Sequence, residues 1–90
     1  MSDALTFEAR LARAKFRAWH RGTRELDLLL GPFADAELDG MDEAGLDRFE
    51  RLLAHEETDL QAWLLKQEAP PPDADSELLT RITAHKISTT

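Results

Sequence analysis

The residues best suited to chemistry lie in one short run, His20-Arg21-Gly22-Thr23-Arg24-Glu25-Leu26-Asp27. Arginine guanidinium groups bind carboxylates and carbonyls through a rigid fork of donors. A glycine between them lets another backbone come close. Such a set suits recognition of another protein, with Arg17 one helical turn before Arg21 enlarging the cationic surface. A second reading fits the same residues: Gly22 ends a helix, and Arg21 or Arg24 pairs with Glu25 or Asp27 on the surface for less than about 1 kcal/mol. The pattern alone leaves both open.

Other chemistries find little material. His20, His55 and His85 fall in three different expected helices, without the paired spacing of a helical zinc site. They read as solvated or capping side chains near helix C-termini. Ser2, Ser76 and Ser88 stand far in sequence from any histidine and carboxylate pair that could activate them. No glycine-rich phosphate loop occurs, so independent nucleotide or flavin binding is not expected. Neither catalytic nor metal-binding residues are assigned, and the chain reads as a non-enzyme. Carboxylate pairs such as Asp42/Glu43 and Glu56/Glu57 read as solvated helix ends and linkers.

The elements that must position the arginine turn are helices. Leu5, Ala9, Ala12, Phe16 and Trp19 alternate steps of four and three, predicting a helix from about Asp3 to His20 with those residues on its buried stripe. Arg10, Arg13 and Arg17 form a basic ridge on its other side. Gly22 closes this helix in a left-handed conformation, and Thr23 caps the next one, which buries Leu26, Leu29, Leu30 and Phe33. Gly31-Pro32 interrupts that second helix, and because Phe33 continues its apolar face a bend is expected there. Asp42 caps a third helix, from about Glu43 to His55, that buries Leu46, Phe49, Leu52 and Leu53. Thr58 and Gln61 form a capping-box pattern opening a fourth, which carries Leu60, Trp63 and Leu64. Ala69-Pro70-Pro71-Pro72-Asp73 reads as a stiff extended spacer. A last helix is expected from Asp75 or Ser76 to Lys86, burying Leu78, Leu79 and Ile82. Strand-like alternation is missing throughout. The expected architecture is all-α, a compact bundle of four or five short helices in a single domain over 1–90, with its core at about 5–86 and a flexible end at 87–90.

Composition narrows the partners. Ninety residues without a cysteine exclude a disulfide framework and a thiol nucleophile. No apolar run approaches the roughly 20 residues of a spanning helix. The arginine-rich beginning contains Asp3 and Glu8 and runs into the first helix, so it reads as mature structure, and a cytoplasmic protein is expected. Net charge is −7, but residues 1–25 carry six Lys/Arg against three Asp/Glu while the remainder carries five against fifteen. Phosphate backbones repel such a chain, which leaves a protein as the expected partner.

At this point the residues fit a known pattern. Arg21-Gly22-Thr23-Arg24-Glu25 resembles the Arg-Gly-x-x-Glu signature of the bacterial and mitochondrial succinate dehydrogenase flavinylation factors. The run RFERLLAHEETDLQAWLL, residues 48–65, is similar to the family's second block, and order and length match from about Leu11 to Ile82. The resemblance implies a helical, non-enzymatic assembly factor that binds the flavoprotein subunit of succinate dehydrogenase, in bacteria often also that of fumarate reductase. It implies promotion of covalent FAD attachment to that subunit, with no cofactor held stably by the factor itself. It also implies Arg21, Gly22 and Glu25 as partner-binding residues, flanked by Arg24, Asp27 and Arg17. Thr23 departs from the bulky apolar residue common at its position. From the residues alone, the alternative is a small helical adaptor that binds an unrelated acidic protein through the ridge of Arg10, Arg13, Arg17 and Arg24.

Overall fold

A computed structural model describes residues 6–88 of the chain. Among these residues five helices form in order: α1 (Phe7–Trp19), α2 (Arg24–Glu37), α3 (Glu43–Leu53), α4 (Glu57–Leu64) and α5 (Ser76–Ser88), with one 3-10 turn at Leu38–Gly40. No strand occurs among the described residues. The all-α expectation holds.

The middle of the chain follows its sequence signals. Thr23 is extended, and its hydroxyl accepts the Leu26 N–H at 3.2 Å to cap α2. The helix then continues through Gly31 and Pro32 to Glu37, keeping Phe33 on the buried face. Asp42 caps α3 by accepting the Gly45 N–H at 2.9 Å, and all four apolar residues expected on that helix are buried. α2 is the hub, packing on α1, α4, α5 and the 3-10 turn. Among the described residues, eleven large side chains, including Phe33, Phe49, Leu26, Leu30 and Ile82, are almost wholly removed from water. Each contributes roughly 1.5–3 kcal/mol against the entropy of folding.

α1 departs from its expected face. The buried side chains are Ala14 and Ala18, with Phe7 and Leu11 packed partly against the core, whereas Ala9, Ala12 and Phe16 are exposed. The buried set also alternates four and three, so periodicity fits either stripe. Two features fix the choice: alanines at 14 and 18 are small enough for α1 to lie close against its neighbours, and the Arg10 guanidinium reaches across to Asp47 and Glu50 of α3. Hydrogen bonds that Arg10 donates to Glu50 and then to Asp47 hold its pKa above the ordinary value. Trp19 lies between the two stripes, half-buried, with its indole N–H on the Asp35 carboxylate at 3.1 Å and its ring over Gly31. Gly31 therefore has a packing reason: a Cβ there would fall inside the indole ring's van der Waals shell.

Other boundaries also shift, including the end of α3, which stops at Leu53 and not at His55. α1 opens at Phe7, because Thr6 is extended and its hydroxyl accepts the Ala9 N–H at 3.0 Å; the expected start at Asp3 lies outside the described residues, as does Leu5. α4 opens at Glu57 with Glu56 before it, so Thr58 is already inside the helix and the capping box does not form. The proline run is less a spacer than a turn: the Ala74 N–H donates to the Pro71 carbonyl at 3.0 Å and Ala74 enters the core. Asp75 then caps α5 through the Leu78 N–H at 3.1 Å and binds Arg48 of α3 with both oxygens, at 2.6 and 2.9 Å. α5 runs on to Ser88, past the expected end at Lys86, and residues 89 and 90 of the expected flexible end lie outside the described residues.

α4 ends with Lys66 at a φ of +61°. The Gln67 N–H donates to the Ala62 carbonyl at 2.7 Å and the Lys66 N–H to the Trp63 carbonyl at 3.2 Å. This is a Schellman closure with lysine where glycine is usual.

Candidate functional site

The arginine turn is built by the end of α1, the start of α2 and the turn between α3 and α4. α1 stops at Trp19, and His20 seals it: its ring Nδ1–H donates to the Phe16 carbonyl at 2.7 Å, and the ring stacks on Phe16 with centroids 4.1 Å apart. Gly22 is thus not the residue that ends the helix, as expected from its position; it lies two residues beyond the cap at His20. Its φ of +108° turns the chain into α2. Few residues but glycine adopt that conformation.

Two bonds hold the turn from beneath. The Arg21 N–H donates to the Asp27 carboxylate at 2.7 Å, so Asp27 serves the turn's backbone and not an arginine side chain. The Thr23 hydroxyl, besides capping α2, donates to Gln61 Oε1 of α4 at 3.1 Å. That bond also uses the Gln61 side chain that the capping-box pattern had reserved for Thr58.

Arg21 points inward. Its Nη2 donates to the His55 carbonyl at 3.2 Å, bracing α1–α2 against the α3–α4 turn, and its Nε is buried without a hydrogen-bond partner. His55 in turn lies edge-on to Trp63 at 5.0 Å. Above the turn, the Glu57 carboxylate rests against Gly22, so close that a Cβ on Gly22 would sit 2.5 Å from its Oε2. Arg24 and Glu25 are exposed, and neither side chain, nor that of Arg17, makes an ion pair or hydrogen bond among the described residues. An open hollow lined by Trp19, His20, Gly22, Thr23, Arg24, Asp27 and Leu28 lies at their feet.

The structure therefore brings Arg21, Gly22, Arg24, Glu25 and Asp27 into one surface and leaves Arg17 half-buried on α1. It adds three residues that sequence reasoning passed over: the His55 carbonyl, Glu57 and Gln61. From sequence alone Glu57 reads as a solvated carboxylate. The available signal was the co-occurrence of two separate blocks, here in contact through Arg21 and His55, 34 positions apart. The basic ridge is not a free line, since Arg10 is bound to α3 and Arg13 lies 3.8 Å from Glu50.

No group of three or more histidine, cysteine or acidic residues among those described is placed to hold a metal ion. No described helix is long and apolar enough to cross a membrane. What the arrangement can do is bind: a backbone bare of side chain, a free guanidinium and a free carboxylate lie on a base braced by three helices.

Residues 12–86 match the family model described as flavinator of succinate dehydrogenase. A protein named FAD assembly factor SdhE from Acetobacter pasteurianus is 38% identical over 74 residues, covering 82% of this chain and 68% of its own length. Its namesake in Pseudomonas aeruginosa is 37% identical over 71 residues, covering 77% and 83% respectively. The mitochondrial succinate dehydrogenase assembly factor 2 of Mycosarcoma maydis is 38% identical over 69 residues, 77% of this chain but only 29% of that longer protein.

Proposed function

The chain belongs to the flavinators of succinate dehydrogenase, and from that premise we propose that it binds the flavoprotein subunit of that complex and promotes covalent attachment of FAD to it. The observation that carries the reading is the closure of the two turns: Gly22 and the free Arg24 and Glu25 are held on a base formed by His55 and Gln61, with Glu57 against Gly22, within the matched residues.

The physical role follows from that base. Arg24 and Glu25 have unspent donors and acceptors, so they can pair with a partner without first breaking an internal bond. Gly22 lets the partner's backbone approach once the exposed, flexible Glu57 side chain swings aside. Arg21 acts here as a brace that keeps the turn in shape, with Asp27 behind it, while Arg17 adds positive charge at the edge. Bound in this way, the factor favours the conformation of the immature subunit in which its acceptor histidine, the flavin methyl group and a dicarboxylate are correctly oriented. The chain itself touches no reacting atom, is no enzyme, and keeps no FAD of its own. The flavoprotein subunit of fumarate reductase is a second client on the same reading. The bacterial relatives, matched over most of their length, support a cytoplasmic site of action.

Co-expression with the flavoprotein subunit tests the proposal. Covalent flavin, read as fluorescence of the denatured subunit in a gel, should rise with the wild-type chain and fall with Glu25→Ala. Equal fluorescence with and without the chain, in a host lacking any other such factor, would refute it. The adaptor reading loses support because its ridge is partly spent within the fold; it expects salt-sensitive binding that ignores Gly22 and Glu25.

A further inference from the structure

The stripe of α1 that the core does not use forms a surface of its own. Ala9, Ala12 and Phe16 follow one another along the exposed side of the helix, and Phe16 is 64% exposed. Leu28 of α2, at 56%, is the other large exposed hydrophobic residue among those described. The two are linked through the hollow beside Gly22: Phe16 stacks on His20, and His20, Trp19 and Leu28 all line it. Exposed apolar side chains gathered in one patch mark contact surfaces far more often than scattered ones do.

Charge indicates what covers it. Arg24 lines the hollow and Arg17 follows Phe16 in the chain, both without a carboxylate partner, although the protein carries a net charge of −7. A second copy docked about a two-fold axis would bring these arginines toward their own kind. An apolar strip rimmed by carboxylates would meet them with opposite charge.

We propose that Ala9, Ala12, Phe16, the His20 ring and Leu28 form one docking face, anchored by Phe16 and Leu28, for an apolar, carboxylate-rimmed strip on the flavoprotein subunit. This assignment rests on the function proposed above, whose turn is continuous with the face through the hollow. It extends the contact from the arginine turn along most of α1, and makes the apolar anchors the main source of residence time while Arg17 and Arg24 steer the encounter.

The test is titration of the purified full-length chain into the unflavinylated subunit, with Phe16→Gln, Leu28→Gln and the double variant. Each single change should weaken binding about tenfold, as loss of an interface anchor does, and the double change further, while thermal melting stays near that of wild type because both side chains are exposed. Arg17→Gln/Arg24→Gln should flatten the salt dependence of the association rate. Double-variant binding within about threefold of wild type, with Glu25→Ala still weakened, overturns the face and leaves the proposed function standing. Failure of the wild type to bind overturns both. A wild-type dimer that the double variant dissociates assigns the face to a second copy and also overturns the proposal. If a variant melts early, a photo-crosslinking phenylalanine analogue at position 16 decides: capture of the subunit supports the face, and capture of another copy or of nothing rejects it.

Discussion

Replacing Gly22 by alanine tests the strained turn at its centre. The residue holds a φ of +108°, and for a side chain with a Cβ such a left-handed conformation costs about 1–2 kcal/mol. The new Cβ would also sit 2.5 Å from Glu57 Oε2, but Glu57 is exposed and its carboxylate is the end of a flexible chain, so moving it aside adds little. The expected loss is therefore the backbone term. A domain of this size shifts by roughly 4–8 °C per kcal/mol, which puts the fall in melting temperature at about 4–16 °C. Melts followed by circular dichroism should be compared for Gly22→Ala, Glu57→Ala and the double variant. Backbone strain predicts that Gly22→Ala/Glu57→Ala stays nearly as destabilised as Gly22→Ala alone. A Gly22→Ala protein melting within about 2 °C of wild type would refute the strain argument, and full recovery in the double variant would move the cause to the collision with Glu57. Assayed well below its melting point, Gly22→Arg should lose covalent flavin out of proportion to its unfolded fraction, because the added side chain covers the surface that the turn leaves bare.

Three further outcomes follow from the packing and the electrostatics. Gly31→Ala should displace the Trp19 ring and break its bond to Asp35, at a cost of about 1–3 kcal/mol for overpacking, partly offset by alanine's better helix propensity. A red-shifted Trp19 emission and rescue by Trp19→Ala in the same chain would check it. Lys66→Gly should raise stability by about 0.5–1 kcal/mol in urea denaturation, since φ is +61° there. Asp75→Asn probes pH: hydrogen bonds from Arg48 hold the Asp75 carboxyl below its ordinary value of 3.8. A depressed folded-state value stabilises the protein above 3.8, and that contribution is lost as pH falls through the folded-state value. The variant keeps a capping side chain but not the charge. It should therefore be less stable than wild type at neutral pH and converge on it once the pH has fallen below the depressed folded-state value.

What was legible in the sequence divides along one physical line. α2 and α3 could be read because their caps, Thr23 and Asp42, bond to backbone three residues away, and because their leucines and phenylalanines, Leu28 excepted, fall on one face of each helix. α1 could not be oriented, since Phe7-Leu11-Ala14-Ala18 and Ala9-Ala12-Phe16-Trp19 are equally apolar at helical spacing, and the deciding contacts lie on α2 and α3. The start of α4 was misread for the same reason, as Gln61 bonds to Thr23, 38 residues away. At the site, the turn residues were visible as a motif. The inward direction of Arg21 was not, because its acceptor is a backbone carbonyl, and no residue type announces a carbonyl.

The Arg10 bridge to Asp47 and Glu50 acquires a role from that degeneracy. Hydrophobicity alone would let α1 roll about its own axis and bury Phe16 in place of Leu11, hiding the outward face. A guanidinium anchored to two carboxylates on α3 works as an index pin: it adds little to overall cohesion, yet the rolled helix gives up both ion pairs at once. In a chain this small, such a pin separates one native arrangement from a near-isoenergetic twin, so the ion pair acts on the choice of fold more than on its depth.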